Sequence, residues 1–327
     1  MTDSKPWDSL TGILLLAHGG PNSLEDIEPF LVNIRSGRPF PPHLLEEIRG
    51  RYHQIGGRSP LLELSRRQAR ALEQALRGDG RRLRVYLGMR NWHPFIRDTV
   101  AEMAKDGVTE ALALCLAPQN SRLSVGLYFQ HVREAQKEMG AEFPVRFVET
   151  WHQEPLLIEA LAEKVRAALE DFSREPGSAP QKPPGVIFTA HSLPEKVLAE
   201  GDPYDREVRA TAAAVAERCG VAGWRFAYQS QGATADPWLG PTVESVLEEL
   251  STGARVLIAP IGFVSDHVEV LYDIDIGFRR FAEQRGILLR RTESLNDSPA
   301  FVRALVAVVE KHLPAVRAGD PIASSPR

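Results

Sequence analysis

Five apolar runs that are continuous rather than alternating constrain the fold of this chain more than any other feature. They are GILLLAH (12–18), LRVYLGM (83–89), EALALCLAP (110–118), GVIFTAH (185–191) and ARVLIAPIGF (254–263). A strand with one wet face alternates apolar and polar residues. A continuous run is a strand covered on both faces, as in a parallel sheet with helices on each side. Between the runs lie long amphipathic segments, including Leu61 to Leu76 and Glu154 to Leu169, with apolar residues at three and four spacing. The expected class is α/β, doubly wound.

An internal repeat divides the chain. ILLLAHGGP (13–21) and VIFTAHSLP (186–194) each end an apolar strand in Ala-His-x-x-Pro, and LCLAP (114–118) matches VLIAP (256–260). Between them HPFIRDTVAEM (93–103) matches DPWLGPTVESV (236–246), each a Pro-aromatic-aliphatic step into a helix with Thr-Val. Three matches in one order point to two similar doubly wound, Rossmann-like halves. The expected limits are 1–150 for the first half, 151–313 for the second, and 314–327 as a flexible tail. Residues 172–185 (FSREPGSAPQKPPG) read as a surface loop. Such folds bind ligands at the carboxyl ends of their strands, so the cleft between the halves is the expected site.

Composition narrows the function classes. Lys and Arg number 39 against 43 Asp and Glu, a net charge of −4, which provides no field for collecting nucleic acid. Cys115 and Cys219 are the only cysteines, too few for a disulfide framework, a four-cysteine zinc site or an iron–sulfur cluster. No stretch approaches the ~20 apolar residues of a membrane span, and residues 1–11 do not resemble a signal peptide. A soluble, cytoplasmic protein is expected.

Two residues stand out chemically. His191 directly follows the strand GVIFTA, which puts an imidazole at a carboxyl-terminal strand end, able to ligate a metal or accept a proton near neutral pH. Glu269 follows the strand ARVLIAPIG. With Asp266 it has the spacing of a capping box, and that alone accounts for both acids. The same segment also gathers Asp266, His267, Glu269, Asp273 and Asp275, with Glu269 and Asp273 four apart on one expected helical face. It reads either as a solvated face or as a path for cations and protons. A nitrogen donor opposite a carboxylate suits transient Fe²⁺ handling or proton removal and makes a poor tight metal site, so His191 and Glu269 are the candidate metal-handling pair.

Eight segments in order then carry a family resemblance: GGP (19–21), IGGRSPL (55–61), GMRNWHPFI (88–96), LAPQNS (116–121), AHSLP (190–194), GDPY (201–204), YQSQG…DPWLGP (228–241) and GFVSDHVEVLYD (262–273). The chain resembles the ferrochelatases, which insert ferrous iron into a porphyrin to make haem, and most resembles their compact bacterial coproporphyrin type. The resemblance implies two α/β halves with a porphyrin cleft between them. It implies that His191 and Glu269, with Asp273 behind them, handle iron and the pyrrole protons. It implies that His18, Arg35, Arg51, Tyr52, Ser59 and Tyr128 line the porphyrin or its propionates. Fe²⁺ and porphyrin are then substrates, with no tightly bound cofactor, no iron–sulfur cluster, and transient contact with other haem-pathway enzymes as a further partner.

Three positions depart from the family pattern. His18 falls where relatives place tyrosine or methionine, and as an imidazole it is able to ligate product iron or to bond backbone. Gly277 ends the acid line one turn past Asp273. Ser265 replaces a small or apolar residue and is expected to be neutral. The length, IGGRSP and the Arg51-Tyr52 pair favour coproporphyrin III as substrate. Protoporphyrin IX insertion, non-catalytic haem binding and insertion of cobalt or nickel into another tetrapyrrole are the alternatives. A nucleotide-binding reading lacks both G-x-G-x-x-G and a phosphate-loop lysine.

Overall fold

The computed structural model describes residues 9–35, 37–38, 41–77, 81–174, 183–232 and 236–313. The first half contributes β1 (Leu10–Ala17), β2 (Leu83–Met89), β3 (Val108–Cys115) and β4 (Val145–Val148) to one parallel sheet, ordered β2-β1-β3-β4. The second contributes β5 (Gly185–His191), β6 (Arg225–Gln229), β7 (Arg255–Ala259) and β8 (Leu288–Arg291), ordered β6-β5-β7-β8. The repeated order explains the repeated sequence. ILLLAH and VIFTAH are the second strand in each sheet, and LCLAP and VLIAP end the third. Every residue of β1 is buried, as its continuous apolar run requires.

Helices α1 (Ile27–Ile34), α2 (Pro42–Gln54) and α3 (Leu61–Leu76) connect β1 to β2; α4 (Ile96–Lys105) and α5 (Val125–Met139) follow β2 and β3. Helix α6 (Pro155–Ser173) leads into the second half, with α7 (Lys196–Ala199), α8 (Tyr204–Cys219), α9 (Val243–Glu248), α10 (Val268–Leu271), α11 (Arg279–Glu283) and α12 (Pro299–His312). Gly140 and Gly220 end α5 and α8 in the left-handed conformation that a Cβ disfavours. Ser298 caps α12, its side chain accepting from Phe301 N at 3.4 Å.

The structure moves one repeat match and trims one loop. Pro94 O accepts from Met89 N and Pro241 O from Tyr228 N, both at 2.7 Å, so Pro94 is equivalent to Pro241 rather than to Pro237. Residues 236–240 are therefore an insertion before α9, which begins at Val243 as α4 begins at Ile96. Helix α6 extends to Ser173 with Phe172 fully buried, which removes 172 and 173 from the expected loop. Gly185 opens β5 and also leaves the expected loop, while residues 175–182 and the tail 314–327 lie outside the described residues.

The halves share one apolar core, in which Leu72 of α3, Leu161 of α6 and Phe301 of α12 pack with strand residues Ile13 and Leu257. Polar ties join them near the strand ends. Ser121 Oγ and Arg122 N donate to Asp202 (3.0 and 2.8 Å), and Asn120 N donates to Glu207 (2.7 Å). The LAPQNS and GDPY segments thus meet across the interface. Buried Gln68 of α3 donates to Ser265 Oγ and to Asn296 O, both at 2.8 Å, a second crossing.

Candidate active site

The carboxyl ends of β1, β2, β3, β5 and β7 converge on a cavity of about 280 Å³ lined by His18, Arg90, Gln119, Tyr128, His191, Tyr204, His267 and Glu269 among others. Convergence depends on a close backbone approach. A Cβ on Gly262 would lie 2.6 Å from the Ala190 Cβ, so only glycine lets the segment after β7 pass over the end of β5. That crossing brings Glu269 to His191.

Glu269 sits between two imidazoles. His191 Nε2 is 3.5 Å from Oε1 and His267 Nε2 is 3.3 Å from Oε2. Each ring is turned by a carbonyl on its other nitrogen, His191 Nδ1 donating to Ser192 O and His267 Nδ1 to Ser265 O at 3.0 Å. Both Nε2 atoms therefore face the carboxylate. About a third of the His191 and Glu269 side chains remains open to the cleft. Burial alone would lower the His191 pKa, but the neighbouring carboxylate outweighs it and the net direction is upward. Burial would raise Glu269; the two histidines reverse this and hold it well below the usual carboxylate range.

Two neighbours fix this arrangement. Gln229, at the end of β6, donates to Glu269 O at 2.8 Å, and Tyr204 OH donates to His191 O at 3.0 Å. The AHSLP and DPWLGP segments are tied by Leu239 N to Leu193 O (2.8 Å) and Ser192 Oγ to Leu239 O (2.9 Å).

The capping box does not form. Helix α10 is one turn with His267 at its N-cap and no side-chain cap, while Asp266 turns away to Ser294 Oγ (2.7 Å), Asn296 Nδ2 (2.9 Å) and Arg291 (3.3 Å). Residues Asp273–Phe278 continue as a π-helical segment, so the acid line leaves regular α-helix at Asp273. Asp273 accepts from Ser230 Oγ and lies 3.5 Å from Arg51 Nη1, a contact between the halves. Burial pushes its carboxyl up to about 6 despite these partners, with Glu269 adding to the rise.

His18 and Tyr128 line the cavity with His191 and Glu269; Arg35, Arg51, Tyr52, Ser59 and Asp273 do not. Arg35 follows α1 as its C-cap. Arg51 projects from α2 over the Tyr272 ring, 5.2 Å from its centroid, and also bonds Glu47 at 2.7 Å. Tyr52 is buried with Ile27, Phe30 and Trp92, which pushes its phenol pKa up. Ser59 supports the GGP turn, donating from its N to Pro21 O at 2.8 Å, with its Oγ 2.6 Å from where a Gly20 Cβ would stand. Sequence reasoning missed Arg90, His267, Gln119 and Tyr204 as cavity residues. Arg90 directly follows β2, so strand-end placement was a usable signal. Ser265 is also more than neutral, since its hydroxyl accepts the Gln68 bond across the interface. Among the described residues no group of three or more His, Cys, Asp or Glu is arranged to hold a metal ion.

Fold and site together define two similar α/β halves around a strand-end cavity, with a carboxylate set between two imidazoles at its wall. SirB from Bacillus subtilis, solved with Fe³⁺, superposes with a TM-score of 0.55 over 93% of this chain and 95% of its own at 12% identity, a likeness of fold alone. The chain belongs to the ferrochelatase family, whose model matches residues 10–313. A ferrochelatase of Acidobacterium capsulatum is 46% identical, covering 94% of this chain and 96% of that protein. A coproporphyrin III ferrochelatase of Oceanobacillus iheyensis is 39% identical, covering 92% and 96%. The protein is thus a lyase-type enzyme that inserts iron into a porphyrin, with Fe²⁺ as substrate.

Proposed function

We propose that this ferrochelatase uses coproporphyrin III, that His191 accepts the pyrrole protons, and that Glu269 and Asp273 carry protons or iron to and from it. The observation that carries the assignment is the Glu269 carboxylate held between the Nε2 atoms of His191 and His267 at the wall of the strand-end cavity. The reaction exchanges two pyrrole protons for one Fe²⁺. An Nε2 beside a fixed carboxylate gains basicity toward such protons, and a second imidazole on the other oxygen gives the charge somewhere to spread. Asp273, with a pKa near 6, is able to exchange protons close to neutral pH.

At about 280 Å³ the cavity falls just below the ~300–1,000 Å³ that ligand pockets span, so the ring's edge and its propionates extend past it. Arginine forks pair bidentately with carboxylates, and Arg35 and Arg51 are the positions that the family pattern gives to the propionates. A four-propionate substrate uses such partners more fully than a two-propionate one. The coproporphyrin III ferrochelatases among the relatives favour the same reading. The test of the residue assignment is a stopped iron-insertion assay on His191→Ala. Insertion at the wild-type rate would overturn the role given to His191.

A further inference from the structure

His18 departs from the family pattern, and the structure shows what surrounds it. Its Nδ1 lies 3.0 Å from Gly19 O and its Nε2 lies 3.0 Å from Asn91 Nδ2. A carbonyl only accepts, so Nδ1 carries the proton. In the neutral ring Nε2 then holds a lone pair, and the Asn91 amide must donate to it. Turning the Asn91 amide over would put its oxygen against that lone pair, and would need an imidazolium to be satisfied. Loss of bulk water in the cleft lowers the His18 pKa and opposes that cation, although the ring is open toward the cleft.

Asn91 is not free to swing away. Its N donates to His18 O at 3.0 Å, its O accepts from Asn33 Nδ2 at 3.2 Å, and the residue is 4% exposed. The Phe30 ring meets the His18 ring edge at 6.0 Å and 73°, which opposes rotation of the imidazole. His18 therefore lines the same cavity as His191 and Glu269 with its one ligating lone pair already taken.

We propose that Asn91 is a positioning residue that holds His18 as its Nδ1–H tautomer and occupies the Nε2 lone pair, so that His18 faces the bound macrocycle without ligating its iron. The consequence for iron rests on the reading of the cleft as a ferrochelatase site; the tautomer does not. An imidazole binds iron more strongly than a phenol, so an uncapped His18 would retain the iron-loaded product. The amide prevents this and keeps the product free to leave.

The test has two independent arms. In the apo protein, two-bond ¹H–¹⁵N spectra of labelled histidine should show His18 protonated at Nδ1 with a hydrogen-bonded, unprotonated Nε2. Asn91→Leu, which keeps the branching at Cγ but has no donor, should remove the hydrogen-bond signature. A wild-type His18 protonated at Nε2 would overturn the assignment. The second arm adds ferrous coproporphyrin III and reads the iron–histidine stretching band and the dissociation rate. Wild type should show no His18-dependent band. Asn91→Leu and Asn91→Ala should show one, with dissociation slowed roughly fivefold, the worth of one net hydrogen bond. His18→Ala in the Asn91→Leu background should abolish both changes. A His18-dependent iron–histidine band in the wild type would refute the capping role. Wild type that binds no iron porphyrin would instead refute the functional reading, and the tautomer spectra would still decide the Asn91 assignment.

Discussion

Replacing Asp273 with asparagine is expected to stabilise the protein at neutral pH while impairing iron insertion. Burial raises the Asp273 pKa from 3.8 to about 6, so the folded state holds this carboxyl's proton more tightly than the unfolded state does. The sign follows: the group costs nothing below pH ~4, and the folded state loses stability as pH rises from ~4 to ~6. At 1.36 kcal/mol per pH unit, the gap between the two values amounts to about 3 kcal/mol at pH 7. Asparagine keeps an acceptor for Ser230 Oγ, and the lost 3.5 Å pairing with Arg51 is already contained in the value of about 6, which that charge holds down. The net gain is therefore about 3 kcal/mol, or roughly 4 °C in Tm for a chain of this size. The assay is urea unfolding of both proteins from pH 4 to 8, beside iron-insertion rates. Wild type and Asp273→Asn should agree near pH 4 and diverge by pH 7, the variant being more stable and slower. Parallel curves across that range, or a variant less stable at pH 7, would refute the reasoning.

Other perturbations separate charge, substrate contact and packing. Glu269→Gln should lower insertion by about 10²–10³-fold, the scale of losing one electrostatic stabiliser, and should also lower Tm at neutral pH, because the stabilisation that holds its carboxylate below the usual range is lost with the charge; insertion at the wild-type rate would reverse the interpretation. Arg90→Leu, at the cavity wall beside Tyr128, should raise KM for the porphyrin more than it lowers kcat, read from steady-state kinetics. Phe301→Ala, in the fully buried core shared by both halves, should cost about 3–5 kcal/mol in denaturant unfolding. Ser265→Ala leaves the Gln68 amide with only Asn296 O, and a loss of about 1 kcal/mol is expected by the same method.

The parts of the fold legible in the sequence were those set by local burial. β1, β3, β5 and β7 are buried over most of their length and read as continuous apolar runs, and β2, although an edge strand with Arg84 exposed, is otherwise apolar. β4 (VRFV), β6 (RFAYQ) and β8 (LLRR) are short and carry charged or polar residues at the sheet edges, so no periodicity marks them. The site was legible to the same depth. His191 follows its strand immediately, and Glu269 shares a short segment with four other ionisable groups. Asp266 was misread because its partners, Ser294, Asn296 and Arg291, lie 25 or more residues downstream, where spacing rules do not reach. His267 gains its meaning only when the Ser265 carbonyl turns its ring toward Glu269. The Gln68–Ser265 and His18–Asn91 bonds likewise join residues 197 and 73 apart.

The central claim is that the protein inserts Fe²⁺ into coproporphyrin III, with a carboxylate-flanked His191 accepting the pyrrole protons. Anaerobic incubation of the protein with Fe²⁺ and either coproporphyrin III or protoporphyrin IX, followed by the loss of free-base porphyrin absorbance, tests it most directly. Insertion into coproporphyrin III with kcat/KM at least about tenfold higher, the factor one 1.4 kcal/mol contact supplies, is the predicted result. Equal or preferential use of protoporphyrin IX, or no insertion into either, would contradict it.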